Sequence, residues 1–199
     1  MATHEEIEFA AKSAIRDEHY FKMLIEQLQG SSRRKRQTAA SVLACVAKES
    51  PETLSGYSNE LVDALNRPEA QTRWECLDAL TALVDVESRS CDKAIAGAET
   101  ALFDEDNGLV RLAAMRFLCH LGSTTEMRSE KVWPLIDEAI QCYHGDPEFQ
   151  DMLIAVTGFS EGKLSDSVKE QLKDRMSFDA TSGKGALKKR AALIVENLS

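Results

Sequence analysis

The chain is poor both in residues that interrupt helices and in residues that build sheets. Four prolines and ten glycines are spread over 199 residues, and aromatics make up only 6%. No alternating β-rich run lies between turn residues, which excludes a sandwich or barrel and leaves a helical chain. Histidine is scarce: His4, His19, His120 and His144 include no His-x-x-x-His pair, so no metal is expected. The five cysteines are odd in number and contain no Cys-x-x-Cys, which argues against a disulfide framework. Cys45, Cys76 and Cys119 fall within helical apolar patterns, where a thiol acts as a small buried side chain. Gly183-Lys184-Gly185 follows no strand and lacks the remainder of a phosphate loop, so no cofactor is expected. No apolar run approaches the roughly 20 residues that span a bilayer. The opening MATHEEIEF lacks the basic-then-apolar order of a secretory signal, and the expected setting is a reducing cytoplasm without membrane contact.

Positive charge is also in deficit. Lysine and arginine total 24 against 33 acidic residues, a formal net charge of −9 and a pI near 5.0. Nucleic-acid affinity comes largely from neutralising phosphates, so nucleic acid is not the expected partner.

What the chain does have is a period. Arg36, Arg73, Arg111, Phe149 and Lys188 are separated by 37, 38, 38 and 39 residues. Three positions beyond each stand Ala39, Cys76, Ala114, Met152 and Ala191. Seven beyond stand Leu43, Leu80, Leu118, Val156 and Val195, and ten beyond stand Val46, Leu83, Leu121, Phe159 and Leu198. A two-helix unit cannot bury such a face without a neighbour, so this repetition predicts stacked helix pairs.

Local signals place the helices. Thr3 and Glu6 form a capping box ahead of Ile7, Ala10, Ala11, Ala14 and Ile15. Asp17 caps a helix ending at Gly30, and the next runs from Arg33 to Lys48. Ser58 is the expected cap of a helix holding Leu61 and Leu65; further helices are expected over 74–84, 90–103 and 109–121. Pro134 begins a helix over 135–143 or kinks a longer one begun near Ser129, and Gly145 stops it. Asp146-Pro147 opens the helix through Phe159, Ser165 caps one through Met176, and the last spans 186–198. The expected architecture is all-α: a Met1–Arg16 capping helix, then repeats over 19–57, 58–96, 97–133, 134–168 and 169–199 of one domain.

Residues 102–114 carry a specific likeness. Leu102-Phe103-Asp104-Glu105-Asp106-Asn107-Gly108-Leu109-Val110-Arg111-Leu112-Ala113-Ala114 resembles the acidic turn and Val-Arg start of a HEAT repeat, and Leu121-Gly122 resembles its ending. The chain is thus similar to the HEAT/armadillo-like superfamily, closest to HEAT repeats, over about 20–199. Arg36, Arg73 and Lys188 keep the basic position without the Val-Arg pair, and Phe149 departs from it. The resemblance implies a right-handed α-α superhelix whose second helices line a concave surface. It also implies that the repeat-start arginines hold adjacent turns rather than a ligand.

On this reading the chain is a non-catalytic protein-binding scaffold or adaptor that uses the concave surface. Positions one, five and eight beyond each repeat start are the groove candidates, and Trp74, Asp78 and Arg116 stand out among them. An exposed Trp is a favoured interface anchor. Arg33-Arg34-Lys35 opposes the dipole at a helix start, and Lys189 occupies a basic run in the last repeat, so both are candidate contacts for an acidic partner. The alternative reading is a nucleic-acid-binding HEAT-like protein similar to the alkylpurine DNA glycosylases, which grip DNA with tryptophans, an Asp and basic residues. A third is one subunit of a larger assembly.

Overall fold

The computed structural model describes residues 3–199, and among them every regular element is a helix. Met1 and Ala2, the start of the expected capping helix, lie outside the described residues. The helices are α1 (His4–Arg16), α2 (Glu18–Gln29), α3 (Arg33–Glu49), α4 (Ser58–Ala64), α5 (Ala70–Cys91), α6 (Ile95–Leu102), α7 (Gly108–Gly122), α8 (Glu126–Cys142), α9 (Phe149–Ser160), α10 (Asp166–Ser182) and α11 (Gly185–Asn197). Short 3-10 turns occur at Pro51–Leu54 and Asp92–Ala94. The chain forms two compact units, Met1–Ala114 and Met115–Ser199, the division falling within α7.

Several caps form as the sequence predicts. The Thr3 hydroxyl accepts from the Glu6 amide at 3.2 Å while the Glu6 carboxylate accepts from the Thr3 amide at 2.7 Å. Asp17 accepts from the amides of His19 and Tyr20, and Ser165 from that of Val168. Gly145 follows α8 with a φ of 97°, a conformation that glycine adopts without a Cβ penalty.

Three local expectations are corrected and one alternative is decided. Ser58 is the first residue of α4 and is buried, so Tyr57 takes the cap position without a side-chain bond. The helix expected over 90–103 is split, because α5 continues through Cys91 with a break at Glu87 (φ −142°, ψ 53°) and α6 begins only at Ile95. The Glu87 carboxylate explains the break: it turns back to accept from the Gly56 amide at 3.0 Å and the Ser55 hydroxyl at 3.2 Å. Asp146 does not cap α9, which starts after Glu148. Pro134 lies inside α8, a helix already begun at Glu126 under a Thr125 cap, and is exposed there.

In the first unit α3 is the hub, packing against α1, α2 and α5. Its Ala39, Ala40, Leu43 and Val46 are buried, as are Cys76, Leu77, Leu80 and Leu83 at the same register positions of α5. Ala39 and Ala40 of α3 and Cys76 of α5 are small enough to let the helix backbones approach, and each buried Leu contributes about 1.5–3 kcal/mol. In the second unit α9 and α10 both pack against α11. Met152, Val156, Phe159, Leu172 and Ile194 form much of that core.

Candidate functional site

The repeat-start bases hold turns. Arg36 is buried and forks onto the Glu69 carboxylate, with Nε–Oε2 at 3.3 Å and a second contact from Nη2 to Oε1. Its remaining Nη1 donates to the Gly30 carbonyl at 2.9 Å, so one guanidinium ties its own turn to the start of α5. Arg73 Nη1 meets Asp104 Oδ2 at 2.6 Å, and Arg111 Nη1 donates to the Asp104 carbonyl at 2.9 Å. Asp104 therefore receives one arginine on its side chain and the next on its backbone. Arg36 holds the Glu69 carboxyl below its ordinary value, outweighing the upward push of burial. Burial pushes the Asp104 carboxyl up, and the bond and charge of Arg73 together with the backbone amides of Asp106 and Asn107 more than reverse it. In the second unit Lys188 Nζ donates to the Thr181 carbonyl at 2.8 Å. Phe149, which replaces the base, is buried instead, its ring 5.0 Å from that of His144. His144 Nε2 in turn lies 3.2 Å from Asp179 Oδ2.

Glu75 behaves differently. It accepts from the Ser41 hydroxyl at 2.8 Å, and that hydroxyl accepts from Gln71 Nε2 at 3.0 Å. Burial raises the Glu75 pKa, and the hydrogen bonds from Ser41 and Trp74 do not offset it. Glu75 lines a cavity of about 370 Å³ between α1, α3 and α5. Ile7, Ala44 and Cys45 form an apolar wall, and Glu8, Lys48 and Glu49 stand around it. His4 sits 3.1 Å from Glu8 at the same edge. Helix α1 thus supplies part of a cavity wall as well as covering α3.

No protein-family model and no characterised protein matches the chain by sequence. Solved structures do match it in shape. A designed armadillo repeat protein in complex with a (KR)4 peptide superposes with a TM-score of 0.78 at 14% identity, over 95% of this chain and 85% of that one. An engineered protein gives 0.76 at 16% identity, over 98% and 89%. The archaeal HEAT-like repeats protein from Thermococcus onnurineus NA1 gives 0.58 at 16% identity, over 98% and 94%. The chain has the HEAT/armadillo-type helical-repeat fold.

Within this repeat fold, the residues singled out by sequence are placed as follows. Trp74 is half-buried on α5 beside Glu75, and Asp78 lies one helical turn further on, also half-buried and engaged. Arg33, Arg34 and Lys35 are all exposed in the first turn of α3, where the Ser32 side chain makes no cap bond. In the second unit Arg116 and Lys189 are exposed, on α7 and α11. Of the wider groove set, Ser41, Ala44, Leu112 and Cys119 are buried rather than projecting. Cys45, expected in the core, is only half-buried and lines the cavity, whereas burial of Cys76 and Cys119 pushes their thiol pKa values well up. Among the described residues no group of three or more His, Cys, Asp and Glu could hold a metal ion. No helix there is long and apolar enough to cross a membrane.

Sequence reasoning missed Glu75, Glu8 and Glu49 as a group. A local signal existed only for Glu75, a carboxylate two positions beyond a repeat start, where the first, third and fifth repeats carry Thr38, Ala113 and Arg190.

Proposed function

We propose that this chain is a non-catalytic protein-binding scaffold that receives an extended segment of its partner on the face of its second helices. One observation carries the reading. The repeat-start bases are consumed in holding turns, while most side chains one or five positions further on, all but Ser41 and Leu112, stay at least partly at the surface. In the second unit these include exposed Arg116, Ile154, Lys189 and Leu193, and in the first Trp74 and Asp78. Within each unit, side chains held at fixed positions on packed helices contact an extended ligand with little reorganisation, which lowers the entropic cost of binding. Structural neighbours include armadillo repeat proteins computationally designed for modular peptide recognition, which supports the same use of this fold. Trp74 serves as anchor, Asp78 and Arg116 as polar contacts, and Arg33, Arg34, Lys35 and Lys189 as contacts for acidic groups.

The test is selection of an unbiased displayed peptide library on the full chain, followed by anisotropy titration of enriched peptides against Trp74→Ala and Arg116→Ala. Binding that weakens about tenfold or more in either variant is the expected result. Failure of any peptide to enrich, together with salt-sensitive binding of labelled DNA between about 50 and 200 mM salt that is lost in Arg33→Ala/Arg34→Ala/Lys35→Ala, would replace it with a nucleic-acid role.

A further inference from the structure

Three half-buried or buried carboxylates of the first unit can be compared directly. Glu69 ends on Arg36 and Asp104 on Arg73. Glu75 ends on a serine hydroxyl, and among the described residues it forms no ion pair. A carboxylate taken out of water without a counter-cation is costly, and the fold supplies a guanidinium to the other two. Instead of a guanidinium, Glu75 lines a cavity to which Glu8 and Glu49 add carboxylates, His4 an imidazole and Lys48 an ammonium whose charge acts on Glu75. The walls are apolar where Ile7, Ala44 and Cys45 line them. A cavity whose lining combines apolar side chains with a carboxylate complements a side chain with an aliphatic stem and a cationic head. Its volume of about 370 Å³ falls in the range of ligand pockets, roughly 300–1,000 Å³.

We infer that the cavity between α1, α3 and α5 is a specificity pocket that takes a lysine or arginine side chain of the partner, with the Glu75 carboxylate as its counter-ion. This rests on the scaffold reading above and names the chemistry of the segment bound there. Ser41 bonds the carboxylate and is itself held by Gln71, which orients it. The incoming cation fills the place that Arg36 and Arg73 fill for the other two carboxylates.

Cys45 gives a readout that needs no natural partner. In a Cys142→Ser background the other three cysteines are buried, so the half-buried Cys45 thiol is the one that reagents reach. Rates of its modification by trimethylammonioethyl and sulfonatoethyl methanethiosulfonate, each normalised to a free cysteine ester, report the charge preference of the cavity. The expected result is a preference for the cationic reagent that falls about fivefold in Glu75→Gln and is unchanged in Glu170→Gln, which removes the same charge from an exposed site. A labelled octapeptide of alternating Lys and Arg is expected to bind about tenfold more weakly to Glu75→Gln than to Glu170→Gln. Equal rates for the two reagents, a faster anionic reagent, or peptide binding indifferent to Glu75→Gln would each overturn the pocket. Any of these leaves the scaffold reading to the library selection. Conversely, an empty selection beside an intact cation preference would count against the scaffold reading and not against the selectivity of the cavity.

Discussion

At the scale of single residues, burial with or without a partner separates structural from functional charge. Arg36 and Glu69 are 7% and 5% exposed and bonded bidentately, so Arg36→Ala strands a buried carboxylate. The expected cost is about 3 kcal/mol in urea unfolding at pH 7. Arg36→Lys is expected to recover only part of it, since an ammonium cannot span both carboxylate oxygens and the Gly30 carbonyl. Glu69 and Asp104 are depressed in the folded state, so the stability they add is complete above the ordinary carboxylate pKa of about 4 and fades as pH falls through their lower folded values. Glu75 has the opposite sign. Its raised pKa means that stability is lost as pH rises from about 4 through its folded value. Glu75→Gln is therefore expected to raise the Tm at pH 7 in a calorimetric scan, with the gain shrinking near pH 4. The same carboxylate that costs stability is the one offered to a ligand.

At the scale of elements, close approaches between helices decide which glycines are replaceable. A Cβ on Gly122 would lie 2.4 Å from Val132 Cγ2 and 2.9 Å from Phe159 Cε2, both core side chains. One on Gly158, inside α9, would meet nothing within 4 Å. Gly122→Ala is expected to cost about 1–3 kcal/mol through overpacking. Gly158→Ala is expected to gain about 0.5–1 kcal/mol by removing helix-interior backbone entropy. Paired denaturation curves of the two variants check both signs. The Leu-Gly ending at 121–122 was legible as a repeat mark; its cause, the pressure of Val132 and Phe159 on the helix end, was not. The break at Glu87 falls in the gap between the helices expected over 74–84 and 90–103; its cause, a carboxylate reaching Ser55 and Gly56 more than thirty residues earlier, was not legible.

At the scale of the whole molecule, each repeat leans on its neighbours, so stability is distributed unevenly along the chain. Within the first unit α3 is packed on three helices and buries nearly its whole apolar face. Within the second, α11 buries only Ala191 and Ile194. Native-state hydrogen exchange is expected to be slowest for amides around Leu43 and Leu80 and fast throughout α11. Uniform protection across these helices would contradict a stack of separately stabilised repeats.

The sequence by itself determined that the chain is helical, roughly where most helices lie, and the main apolar stripe that each second helix buries. Those properties follow from the 37- to 39-residue period and from caps such as Thr3–Glu6, Asp17 and Ser165, which act within a few residues. It also marked Arg36, Arg73 and Arg111 as turn-holding bases, although not their acidic partners. Only the tertiary structure decided that Glu69 and Asp104 receive a guanidinium while Glu75 receives a hydroxyl and a cavity. The physical reason is register: Ser41 and Glu75 are 34 residues apart and meet because α3 and α5 pack at one offset. A shift of one residue along either helix would turn one of the two side chains away, and no local pattern records that offset.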